Sequence, residues 1–259
     1  MVLLGSGNLA SQIGPALVDS KVNLVQVYSR RITNARKLAI KLGCPATNKL
    51  TSLVMDADLY LFAISDGAIQ KTAEKLIDYL PPKGNYIFAH TSGATSKLVF
   101  KGLVKNYGVF YPLQTFSKNR PAEFSTIPFC IDGNKTKVKT KLTQLAKKLS
   151  PTVSLITDEQ RADLHVAAVF VNNFTNALFG VGKEILDEKN IPFELLTPLI
   201  LETAKKVQED PPKKMQTGPA RRGDQETIQR HLRLLNNNST FQKIYQQLSE
   251  LIIQQTESS

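Results

Sequence analysis

Short apolar runs separated by amphipathic stretches fill the first 157 residues, and amphipathic or apolar helical stretches fill the rest. Met1–Leu4 is a short apolar run, and Leu24, Val25 and Val27 mark a second within Asn23–Ser29. Asp58–Ser65 is almost unbroken apolar, which suits a parallel strand buried on both faces. Tyr86–His90, Val109–Pro112, Ile127–Ile131 and Val153–Ile156 read as further strands. Between them, Asn8–Val18, Thr33–Leu42, Asp66–Leu80 and Thr136–Leu149 read as helices. Gly43 stops the second helix, and Pro81-Pro82 closes the third. Pro15 sits inside the first and removes a helix N–H, so a kink is expected there. The alternation predicts an α/β fold, a doubly wound sheet with right-handed crossovers over residues 1–157.

At Asp158 the pattern changes. Asp158 and Glu159 put acids in the first turn of a helix that runs to Leu186. It is apolar nearly all round, so it is expected to be deeply buried or to lie at a subunit interface. Further helices are expected at about 193–208, 224–236 and 240–255, making 158–259 an all-α C-terminal domain.

A chain of 259 residues can bury a sizeable core in one large domain or two smaller ones. No window reaches the roughly 20 apolar residues of a membrane span, and no secretory signal opens the chain. Cys44 and Cys130 stand far apart without histidine neighbours, which argues against a disulfide framework or a metal site and fits a cytoplasmic setting. The net charge of +11 allows a nucleic-acid partner. The basic residues are dispersed and no run is interleaved with aromatics, which favours a solvated surface and an anionic cofactor over nucleic acid.

The candidate chemistry begins at the end of the first strand, at Gly5-Ser6-Gly7-Asn8-Leu9-Ala10. This Gly-x-Gly-x-x-Ala turn has a physical reason at each position. Gly5 permits a sharp turn, Gly7 lets a pyrophosphate approach the backbone, and Ala10 lets the helix pack close to the sheet. The following helix aims its free N–H groups at the phosphates. The motif therefore predicts a Rossmann-like dinucleotide site. The second strand ends in Tyr28-Ser29-Arg30-Arg31, where an NAD site places an acid for the ribose. A hydroxyl and two guanidinium groups suit a 2′-phosphate instead, so NADP is the expected cofactor.

The loops after later strands face the same sheet edge. Ser65 and Asp66 follow the third apolar run; Asp66 caps a helix or lies with Ser65 over the cofactor. Thr91-Ser92-Gly93 follows the next strand, and its hydroxyls either form a turn or bind nicotinamide or substrate. In the helical part, His165, Asn172 and Asn176 share a face at spacing i, i+7, i+11, with Asn173 one step round. Buried polar groups need partners, so they line a pocket or bond within a helix bundle. Thr217–Asp224 is a Gly/Pro-bounded loop in which Arg221 or Arg222 is a candidate anion holder and Asp224 a helix cap. His231 is read as a packed or surface residue.

Taken together, GSGNLA, YSRR, HTSGA, YPLQTFS, LHVAAVFVNNF and TGPARRGD…IQRHL resemble a bacterial family named for NADP oxidoreductase activity. Its members pair a Rossmann-like domain with a helical C-terminal domain of unknown function. The chain is more distantly similar to pyrroline-5-carboxylate reductases, deazaflavin-dependent NADP reductases and β-hydroxyacid dehydrogenases. The resemblance implies a nicotinamide held near a long helix, and a homodimer formed through the helical domain. In β-hydroxyacid dehydrogenases that helix carries a catalytic Lys, with an Asn one turn later. If Asn173 matches that Asn, Val169 holds the Lys position and transfers no proton. His165 is the nearby replacement, since imidazole titrates near neutrality. The implied enzyme uses His165 as acid/base, Asn173 and Ser92 to orient a carbonyl or imine, and Asn172, Arg221 or Arg222 to contact a small, anionic substrate. A sensor or scaffold that binds NADP without turnover is the alternative.

Overall fold

The computed structural model describes residues 1–257 except Lys83 and Asn119. It comprises two compact units, Met1–Val169 and Phe170–Ser259. Among the described residues the first unit carries one sheet of eight strands. They are β1 (Val2–Leu4), β2 (Gln26–Tyr28), β3 (Ala46–Thr47), β4 (Leu59–Phe62), β5 (Ile87–His90), β6 (Tyr107–Pro112), β7 (Phe129–Gly133) and β8 (Val153–Leu155). The order β3-β2-β1-β4-β5-β6-β7-β8 places the first strand centrally, with the chain winding outward to either side. Helices α1 (Asn8–Asp19), α2 (Ile32–Leu42), α3 (Asp66–Ile77) and α4 (Thr136–Lys147) cover the sheet.

Alternating side chains put the two larger core clusters on opposite faces of the sheet, and a third, smaller cluster holds Val109, Tyr111 and Cys130. Leu3 joins Ile13, Leu17, Leu38 and Leu142 on one face, while Val2 and Leu4 join Tyr60, Phe62, Ile69 and Leu76 on the other. Both faces of β1 and β4 are buried, as their unbroken apolar runs require. Gly43 ends α2 in the left-handed conformation, with φ +65°. Pro15 lies inside α1, which nevertheless continues to Asp19.

The sheet is parallel from β3 to β6, but β7 pairs antiparallel with β6, and β8 is parallel to β7. The doubly wound α/β expectation holds, with one antiparallel pairing in a mostly parallel sheet. A parallel return needs a crossover, usually a helix. Among the described residues of 113–128 the helical structure is limited to a short 3₁₀ turn, Phe124–Thr126, and the chain doubles back instead. The Lys-rich α4 is the crossover between β7 and β8.

Helix α5 (Asp158–Ala168) passes into a π-helical turn, Val169–Phe174, and then α6 (Thr175–Asp187). The second unit continues with α7 (Thr197–Glu209), a short α8 (Pro212–Met215), α9 (Gln225–Leu234) and α10 (Ser239–Glu257). Its helical character matches the sequence pattern. His231 bonds Tyr245 Oη through Nδ1 at 2.8 Å, joining α9 to α10. Of the two alternatives for the long helix, burial within the chain is not what the structure shows: Phe170, Val171 and Phe174 are exposed. The 30-residue helix Asp158–Asp187 is also long and apolar enough to cross a membrane, with a mean hydropathy of 1.3 over 18 residues.

Candidate functional site

The register places the carboxyl ends of β1, β2 and β4 side by side, with Leu4 opposite both Tyr28 and Phe62. The next residues, Gly5, Ser29 and Ala63, therefore open onto one edge. Gly5 has φ +133°, and a Cβ there would lie 2.0 Å from the Ala63 carbonyl oxygen. Only glycine makes this turn against β4. Gly7 is the N-cap of α1, and the space where its Cβ would stand is open. The first-turn amides of α1, Asn8 to Ala10, have no carbonyl one turn earlier to bond.

These residues line a groove of about 730 Å³. Its lining includes Gly5, Ser6, Gly7, Asn8 and Leu9; in strand order Ser29, Arg30 and Arg31 stand at one end and Thr91 at the other, with Ser65 between. Ala10 lies beneath, fully buried in the core. The Ser6 hydroxyl donates to the Ser29 hydroxyl at 2.7 Å, tying the glycine turn to the end of β2. Arg30 and Arg31 form no ion pair among the described residues. Asn8 Nδ2 donates to the Phe116 carbonyl at 3.0 Å, and Gln12 Nε2 donates to that of Ser117 at 2.8 Å, so α1 anchors the loop after β6. An adjoining space of about 450 Å³ is bordered by Tyr28, Arg30, Lys71 and Lys75. Those lysines, one turn apart on α3, escaped the sequence reading because an exposed helical Lys looks like solvated surface.

Asp66 does not cap α3. Ser65 holds the N-cap position without a side-chain bond, and Asp66 is the first helical residue. Its carboxylate still favours the positive end of the helix. Thr91 donates to the Phe62 carbonyl at 3.4 Å. Ser92 is occupied by its turn: its Oγ accepts from the Ala94 and Thr95 amides at 3.2 and 2.9 Å and donates to Thr95 Oγ1 at 2.9 Å.

A buried polar network fixes this loop to α5. Arg161 is 1% exposed; its Nε donates to the Gly93 carbonyl at 3.2 Å and its Nη2 to that of Thr95 at 2.5 Å. Nη2 also pairs with Asp158 at 2.7 Å. Burial alone would raise the Asp158 carboxyl. The Ser96 hydroxyl, Arg161 and the Lys97 amide outweigh burial and hold it down at about 2. His165, one turn beyond Arg161, has Nδ1 3.4 Å from Tyr111 Oη at the end of β6. Gly93 lies against both, since a Cβ there would be 2.6 Å from His165 Nδ1 and 2.9 Å from Tyr111 Oη. His90 is fully buried beneath the loop and accepts the Ser92 amide through Nδ1 at 3.2 Å.

The remaining candidates lie beyond the first unit. The spacing of His165, Asn172 and Asn176 assumed 3.6 residues per turn, and the intervening π-helical turn breaks that phase. Asn172 and Asn173 lie in this turn and are exposed. In the second unit Arg221 donates to the Lys213 carbonyl at 2.9 Å. Arg222 stands 4.0 Å from Asp224, which caps α9 by accepting the Thr227 amide at 3.0 Å. The sequence reading missed Tyr111 and Arg161 as site residues. Tyr111 was discoverable as a hydroxyl ending a strand at the ligand-facing edge; Arg161 carried no signal of burial.

Residues 127–252 match a family described as a domain of unknown function, DUF2520. A solved structure from Bacteroides fragilis, named "putative NADP oxidoreductase", is 40% identical, with a TM-score of 0.91 over 98% of this chain and 97% of that one. The chain belongs to this family. A Thermotoga maritima protein, TM1727, is 22% identical and shares the fold over 99% of this chain and 98% of its own, with a TM-score of 0.76. An imine reductase from Myxococcus stipitatus, solved with NADP+, is 14% identical and shares it over 100% and 94%, at 0.67. A search of curated proteins finds no match. The fold is thus Rossmann-like, of the kind found in oxidoreductases.

Proposed function

We propose that the chain is an NADP-dependent oxidoreductase acting on a small carbonyl or imine compound. The observation that carries this reading is the groove: a glycine turn with an open face at Gly7 and cationic residues at the end where a ribose phosphate would lie. When bound, NADPH supplies a hydride. The protein's own residues do the rest. The α1 amides and Gly7 hold the pyrophosphate, Ser29, Arg30 and Arg31 hold the 2′-phosphate, and Thr91 borders the far end. His165 supplies or relays the proton. The Ser92 hydroxyl serves the loop rather than the substrate, because its bonding capacity is used by Thr95 and two amides. The exposed apolar row of Phe170, Val171 and Phe174 is covered by a second copy of the chain, which light scattering checks as a mass of twice 28.7 kDa.

NADPH oxidation measured over a panel of imines, keto acids and aldehydes tests the activity. Turnover of one class supports an enzyme. Tight NADPH binding with no turnover across the panel favours a sensor, the reading that the absent helix lysine motivates.

A further inference from the structure

We propose that Tyr111 is the catalytic acid of this site and that His165 is the group that recharges it; the inference rests on the oxidoreductase reading above. Tyr111 is the next-to-last residue of β6, which pairs with β5 through His90 and Val109. The residue after His90 is the groove-lining Thr91, so the backbone of Tyr111 lies one residue beyond the level of Thr91 on the neighbouring strand. Tyr111 is buried, with 9% of its surface exposed, beside Val109 and Cys130. The groups around it come from three elements. His165 and Arg161 lie on α5, Cys130 sits opposite Tyr111 on β7, and Asp66 begins α3.

The neighbourhood is built to hold a phenol in place. Arg161 fixes the Gly93 carbonyl from below, and Gly93 has no side chain to separate the loop from the phenol and imidazole. Burial, with the nearby Cys130, pushes the Tyr111 phenol up, while the positive charge of Arg161 pulls the other way. The phenol therefore carries its proton through neutral pH and can give it. A contact of 3.4 Å is long for a hydrogen bond, but catalytic bonds often tighten only when substrate is bound.

The carbonyl carbon or imine carbon gains a hydride from a reduced nicotinamide. The Tyr111 O–H bond breaks, and its proton forms a new O–H or N–H bond on the substrate heteroatom. His165 Nδ1 then passes its proton to the phenolate, and the half-exposed imidazole takes another from water. With a proton on Nδ1, His165 donates to Tyr111 Oη and turns the phenol's own hydrogen toward the substrate. Direct donation by His165, the simpler alternative, gives Tyr111 no necessary part.

Two measurements on the full chain test this. Tyr111→Phe should lower kcat by at least about 100-fold while NADPH affinity, read by fluorescence, is unchanged. Replacing Tyr111 by 3-fluorotyrosine, which acidifies the phenol and keeps its shape, should retain activity and move the alkaline limb of the kcat profile to lower pH. The second readout needs no turnover. In the protein without nucleotide, the His165 ring resonances should show an extra alkaline inflection as Tyr111 ionises, and Tyr111→Phe should remove it. Wild-type turnover in a folded Tyr111→Phe, or identical His165 titrations in both proteins, overturns the assignment. If the wild type binds NADPH but reduces nothing in the panel, the oxidoreductase reading falls, and the catalytic role of Tyr111 with it.

Discussion

His90 offers the sharpest physical test of how the loop beneath the candidate acid is held. It is fully buried at the end of β5, and its Nδ1 accepts the Ser92 amide at 3.2 Å. That acceptor role requires a neutral ring with its proton on Nε2. Burial, helped by the charge of Arg161, lowers the His90 pKa from 6.5 to about 4. In the unfolded chain it returns to its ordinary value. Between those two values the unfolded state binds a proton that the folded state refuses, so stability falls as pH falls from 6.5 toward 4. The full difference corresponds to about 3 kcal/mol, of which about 2 kcal/mol is lost between pH 7 and pH 5. His90→Asn keeps an acceptor near the Nδ1 position and removes the titration. Urea unfolding of both proteins from pH 7 to pH 5 gives the comparison, with the many surface carboxylates cancelling in the difference. The variant is expected to be less stable at pH 7, because a smaller side chain leaves a cavity. The gap should narrow by about 2 kcal/mol at pH 5. Parallel stability curves would refute the claim that His90 is held neutral by the fold.

Two further outcomes concern the groove and the loop. Arg30→Glu should weaken NADPH binding at least tenfold more than NADH binding, read by titration calorimetry, since it places a carboxylate where the 2′-phosphate is proposed to bind. Lys71→Ala with Lys75→Ala should shift the same preference by less; equal losses for both nucleotides would remove the phosphate assignment. Gly93→Ala adds a carbon 2.6 Å from His165 Nδ1 and 2.8 Å from the Tyr111 ring, so one side chain must move. Overpacking of this kind costs about 1–3 kcal/mol, and a displacement near 1 Å can cost about 100-fold in rate. A melting curve and turnover numbers equal to wild type would show that the contact yields freely.

Much of the first unit was legible because its signals are local. Each strand with both faces buried is a run of apolar residues, and each turn that needs an unusual backbone carries its glycine. Gly5 and Gly43 were readable for that reason, and both adopt positive φ. The direction of β7 was not readable from its own residues, since Phe129–Gly133 would look the same in either orientation. The information lay in what precedes it, sixteen residues without a helix long enough to cross the sheet. The phase of the long helix failed for a related reason. A π-helical turn changes which residues share a face, and Val-Phe-Val-Asn-Asn-Phe fits an ordinary helix equally well.

The site illustrates a deeper limit. Arg161 reads in sequence as half of an i, i+3 surface pair with Asp158, a contact worth little in water. In the structure the same guanidinium is among the largest fully buried side chains, because the Gly93 and Thr95 carbonyls converge on it from a loop more than sixty residues earlier. A buried charge is tolerable only when so surrounded, and the surroundings are supplied by topology, not by neighbours in sequence. Tyr111 and His165 are 54 residues apart and meet for the same reason. Asp158 and Arg161 pin the start of α5 to the loop after β5, and the next turn of that helix can then face only the end of β6. The network thus brings a phenol and an imidazole together beside the sheet edge that carries the glycine turn.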